Sequence, residues 1–263
     1  MKSPVAALRR PDLATIGMVW PTTTEVRRMS DPSSERLPAA EREHAKHGWL
    51  DTHHSFSFAN YYNPARMGFG PLRVINQDRV AGGRGFGWHP HRDMEIVSYV
   101  LEGALAHRDT TGGEGILQHG DVQVMSAGTG DYHMEMNGRS NGDVHFLQIW
   151  LLPRSRGTTP RYADRHFAPS RRGPVLIASH DGRGDSLTIG QDVDIYRVLL
   201  TDGEAVTHRT TFDRAWVQLI SGALEVAGEP LLPGDGLALT ASMRTSSAPQ
   251  VTSRHCFSSL GAR

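Results

Sequence analysis

The chain has 263 residues and balances 28 basic against 28 acidic side chains. That balance argues against nucleic acid or an anionic membrane as the main partner, and no apolar run approaches the length of a membrane span. Cys256 is the single cysteine, so no intrachain disulfide can form, which suits a reducing cytoplasm.

Residues 1–35 are rich in Pro, Ser, Thr and Arg and weakly periodic, and they read as a disordered extension. Arg9, Arg10 and Pro11 stand there without a continuous apolar stretch, so no secretory signal is expected. From Trp49 onward apolar and polar residues alternate as in strands. Residues 55–58, 72–75, 95–101, 122–125 and 145–151 form one series, divided by glycine-containing turns. Residues 153–173 make a polar, Arg-rich connection. A second series follows at 186–189, 195–199, 215–220 and 236–239. With 28 Gly and 15 Pro spread throughout, the pattern is that of an all-β sandwich or barrel.

The two series repeat. Residues 97–105 match residues 216–224 at an offset of 119, and Gly120-Asp121 matches Gly234-Asp235 at an offset of 114. Two copies of one β unit is the simplest account. The chain is therefore expected to divide into a first unit over residues 36–153 and a second over residues 154–263.

The chemistry concentrates in two segments of the first unit. Side chains two apart in a strand share a face. His89 and His91 are so placed, and so are His133 and Glu135. Glu95 has the parity of His89 and His91, so either Glu95 or Glu135 can supply a carboxylate. Three imidazoles and one carboxylate converging inside a barrel form a transition-metal site. Six-coordinate metals would keep open positions there, which suits Fe(II), although Mn, Co, Ni, Cu or Zn could load in vitro. The repeat supports a specific role. The offset of 119 carries His89, His91 and Glu95 to His208, Thr210 and Arg214; that of 114 carries His133 and Glu135 to Ser247 and Pro249. The second copy thus keeps the strand pattern and loses nearly all the ligand chemistry.

Gly83-x5-His89-x-His91-x3-Glu95 and Gly128-x4-His133-x3-Asn137 resemble the two motifs of the cupin superfamily. Residues 47–51, 55–62, 67–69, 72–76, 89–91, 125–130 and 148–150 resemble the pirin family, in its bacterial bicupin branch. The resemblance spans roughly residues 36–240. It implies two tandem cupin barrels, each a double-stranded β-helix, with one divalent metal, usually iron, in the first. It implies His89, His91, His133 and Glu135 as ligands, where the generic cupin motif would take Glu95. Glu95 then becomes a wall of the pocket or a partner that orients an imidazole.

The activity implied is that of a quercetin 2,3-dioxygenase, which cleaves a flavonol with O2 to a depside and carbon monoxide. Glu135, or Glu95 if free, would take the hydroxyl proton. Phe86, Met94, Met125 and Met134 are expected to line the substrate slot, from their proximity in sequence. The alternative is a non-enzymatic metal-binding regulator acting through a protein partner. Other features read more plainly. His107, Asp109 and His119 are expected as surface turn residues, and His44, His47, His53 and His54 as exposed or structural. Ser55 and Ser57 lack partners at nucleophile spacing. The glycine-rich residues 82–87 precede a strand rather than a helix, which weakens a nucleotide-binding reading.

Overall fold

A computed structural model describes residues 14–21, 33–207, 212–240 and 251–252. The positions His208, Thr210, Ser247, Pro249 and Cys256 lie outside the described residues. Strands dominate the described residues, in four sheets. Among the described residues no helix is long and apolar enough to cross a membrane.

The first barrel has a seven-stranded sheet in the order 161–166, 121–126, 95–102, 144–151, 72–80, 50–54 and 43–46. A four-stranded sheet faces it, ordered 85–91, 131–137, 104–109 and 114–118. The second half repeats the plan with a seven-stranded sheet and a four-stranded one. The two seven-stranded sheets pack back to back. Val97, Tyr99, Val122, Val124, Leu147 and Ile149 of one meet Val175, Ile177, Ile195 and Trp216 of the other in a single apolar cluster. The intervening residues, Ser98, Gln123 and Gln148, are equally buried but face the interior of the first barrel. Both faces of these strands are therefore covered, and burial alone does not separate core from site.

The expected boundaries need correction in two places. Ala14–Pro21, placed by sequence in a disordered extension, forms a strand between Val193–Leu200 and Arg214–Ser221. Its polar flanks hide the short β-compatible run Ala-Thr-Ile-Gly-Met-Val-Trp. The barrels also exchange strands. Ser33–Leu37 pairs with Gly236–Thr240 in the second barrel, and Arg161–His166 pairs with Asp121–Ser126 in the first. A cut at residue 153 thus crosses the actual architecture. Near the other end, Val251–Thr252 pairs with Ala205–Val206 and with Glu225–Val226.

Candidate metal centre

Three adjacent strands build the centre. In Asp131–Asn137 burial alternates strictly, with Asp131, His133, Glu135 and Asn137 inward. His133 lies opposite His89 on one neighbour and opposite Asp109 on the other, while Glu135 lies opposite His107. The pairing with Gly85–His91 shifts register between His133 and Glu135. Such a bulge re-aims side chains. Here the Gly87 carbonyl turns to accept a hydrogen bond from His89 Nδ1 at 2.7 Å.

That contact fixes a tautomer. A carbonyl only accepts, so His89 carries its proton on Nδ1 and presents a bare Nε2. This Nε2 lies 2.9 Å from His133 Nε2. His91 Nε2 is buried without a partner, and the donor atoms of His89, His91 and His133 lie within 4.8 Å of one another. Burial, then the neighbouring imidazoles, holds His91 and His133 down to about 3, so both stay neutral. Neutral imidazoles converging with an unsatisfied nitrogen are what a divalent transition metal requires. A separation of 2.9 Å also matches adjacent nitrogens each about 2.1 Å from one ion. The residues present fit such an ion.

Glu135 is placed by three donors. Oε1 accepts from Ser98 Oγ at 2.8 Å and Gln123 Nε2 at 2.7 Å; Oε2 accepts from Gln148 Nε2 at 2.6 Å. One acceptor position remains on Oε2. The donor atoms of Glu135, His133 and His107 form a second convergent group within 4.8 Å. His107 and Asp109, expected as surface turn residues, are fully buried here, with His107 Nε2 bonded to Asp109 Oδ2 at 3.0 Å. The signal was strand parity: Leu105, His107 and Asp109 share the inward face of Ala104–Asp109.

Glu95 stands apart from this group. The strand that carries His89 and His91 ends at His91, and Asp93 takes a left-handed φ of 49° before Glu95 opens a strand of the other sheet. Shared parity between 91 and 95 is lost at that bend. The Glu95 carboxylate instead accepts from Ser126 Oγ at 2.6 Å and from Gly190 N–H at 2.8 Å, joining the two barrels. Burial raises its pKa.

The expected slot residues scatter. Met125 is buried with the parity of Gln123, toward the barrel interior. Phe86 packs edge-on against Trp49 at 5.3 Å. Met134 lies on the face opposite His133 and Glu135, as strand parity requires. Met94 sits in the bend before Glu95, and its carbonyl accepts from Ala127 N–H. The aromatic neighbours of the centre are others. Trp150 stands edge-on to His91 at 4.8 Å, and Phe58 packs against Trp150 at 5.2 Å.

Comparison with known proteins gives the family. The Pirin family model matches residues 38–151, and a model described as a quercetinase C-terminal cupin domain matches residues 176–254. The chain belongs to the pirin family. Its two barrels are accordingly cupin barrels. A quercetin 2,3-dioxygenase of Escherichia coli is 47% identical over 202 residues, covering 76% of this chain and 87% of that protein. A pirin-like protein of Caulobacter vibrioides is 38% identical over 209 residues, covering 78% and 90%. The crystal structure of the bacterial pirin YhhW from Escherichia coli in complex with nickel(II) superposes with a TM-score of 0.75 at 43% identity, covering 84% of this chain and 97% of that one.

Proposed function

We propose that this pirin is a metal-dependent dioxygenase that opens flavonols such as quercetin with O2, with Fe(II) as the resident ion. His89, His91, His133 and Glu135 would hold the metal. The observation that carries the reading is the convergence of three imidazoles, two of them with an unpartnered buried nitrogen, beside a carboxylate with one acceptor position left. The name of the 47% identical relative points the same way.

A divalent ion bound there supplies Lewis acidity to a phenolic oxygen and leaves coordination positions beyond the four side chains. The remaining work falls to the chain. Ser98, Gln123 and Gln148 hold Glu135 in one orientation, so its carboxylate needs little reorganisation when charge develops beside it. The free Oε2 position is where Glu135 meets the ion or receives the substrate's hydroxyl proton. Trp150, edge-on to His91 with Phe58 packed perpendicular against it, offers an aromatic side to the centre against which a planar ring can rest. Glu95, tied to Ser126 and Gly190, stays outside this proposal.

The test is metal analysis and oxygen uptake with quercetin under Fe(II). His91→Ala is expected to abolish both. Flavonol turnover by metal-free protein would sink the proposal. Metal binding without oxygen uptake would favour the non-enzymatic regulator.

A further inference from the structure

We propose that His107, held by Asp109, is a positioning residue for the metal centre. It accepts the Nδ1 proton of His133 and so fixes the tautomer in which His133 presents Nε2. This rests on the metal reading above.

The protons can be placed one at a time. Asp109 Oδ1 accepts from Thr111 N–H and Oγ–H, both at 2.9 Å, and from Gly113 N–H at 2.7 Å. Its other oxygen, Oδ2, faces His107 Nε2 at 3.0 Å. A carboxylate so surrounded is an acceptor, so the His107 proton sits on Nε2 and Nδ1 is a bare lone pair. If His133 gives Nε2 to a metal, its own proton must sit on Nδ1. His107 Nδ1 and His133 Nδ1 are both buried and both without a partner. One is an acceptor and the other a donor, on neighbouring strands.

The two rings are 5.3 Å apart between centroids. When both nitrogens turn toward the line of centres they come to roughly 3 Å, which is hydrogen-bond range. Metal-bound histidines generally pass their second ring proton to such a partner.

The surroundings fix the plane of the His107 ring while leaving it free to turn within that plane. Tyr162 stacks on its ring at 4.5 Å and 15°. A Cβ at Gly113 would lie 2.2 Å from Asp109 Oδ2 and 2.7 Å from Tyr162 Cγ, so only glycine permits this approach. The repeat sharpens the point, because the offset of 119 sets Val226 in the place of His107.

The experiment loads the full chain with Co(II) and follows affinity, the visible ligand-field spectrum and the hyperfine-shifted imidazole N–H signals by proton NMR. Wild type is expected to show a slowly exchanging N–H from His133. Asp109→Asn is expected to weaken Co(II) binding by about 10–100-fold, shift the spectrum and speed exchange of that proton, with the β circular-dichroism signal kept. Gly113→Ala, which touches no ligand, should move the same readouts in the same direction if Asp109→Asn does not fold. Unchanged affinity, spectrum and exchange in a folded variant overturn the relay alone. Wild-type protein that takes up no Co(II) overturns the metal reading and the relay with it.

Discussion

The two cupin barrels share a plan and differ in what fills them. The second is packed with Val198, Leu200, Val217, Leu219, Val226 and Leu237 around an apolar interior. The first places Ser98, His107, Gln123, His133, Glu135 and Gln148 inside, each buried and most of them hydrogen-bonded. The repeat makes the contrast positional. Val217 stands for Ser98, Val226 for His107 and Leu237 for Gln123. A barrel of this kind requires only that its interior be filled and its polar groups satisfied. Aliphatic filling gains roughly 25 cal/mol per Å² buried, whereas a satisfied polar network contributes little net. The second barrel stabilises the molecule, and the first is free to keep a site.

Exchanging fillings should break this division. Leu237→Gln in the second barrel is expected to cost about 3–5 kcal/mol, since it loses packing and buries an amide without a partner. Urea titration measures it, and a cost below about 1 kcal/mol would show that the second interior tolerates polarity. The reciprocal Gln123→Leu should cost only about 1–2 kcal/mol, because Glu135 keeps Ser98 and Gln148. It should nevertheless loosen metal binding by about tenfold, read by calorimetry with Ni(II).

Acid provides a subtler comparison. Burial, then the nearby Arg42, lowers His54 to about 4; burial, then Arg79, lowers His145 to about 4. Below their ordinary value of 6.5 the unfolded chain takes protons that the native state refuses. Their stabilisation is complete above that value and is lost as pH falls toward about 4. Asp78, pushed up to about 7 by burial, opposes them. Metal-free protein should thus melt at lower temperature at pH 5 than at pH 7, and His145→Gln should flatten the slope. An unchanged slope would remove His145 from this account. At the small end, Arg108→Ala breaks an exposed pair with Glu114. It should move stability by less than about 0.5 kcal/mol, and a larger change in melting would mean that the outer edge of the first barrel matters.

Much of this was legible in the residues. Alternation at 89/91 and 133/135 put four candidate ligands on inward faces, and their loss in the repeat pointed to the first barrel. His107 was missed because its strand is short and closes on a turn, where polar side chains usually face water. Ser98, Gln123 and Gln148 looked ordinary because a polar residue alternating with apolar ones normally marks a solvated face. Here the apolar face packs on the other barrel and the polar face lines the site. Glu95 misled for a different reason, since parity counts only within one unbroken strand. The exchanged strands carry no local signal at all: nothing in Arg161–His166 says which barrel it will join.

That exchange also sets an order in time. Among the described residues, every strand of the first barrel has been made by residue 166. The strands at Ala14–Pro21 and Ser33–Leu37 must wait for partners that end at Leu200 and Thr240. At about 5–20 residues per second, that wait is on the order of 10–40 s on the ribosome. The barrel that holds the candidate centre can close first, while Ala14–Pro21 and Ser33–Leu37 stay unpaired and open to wrong partners. The second barrel is thus completed by strands made before either barrel, and translation of the second half is the interval in which those strands are most exposed.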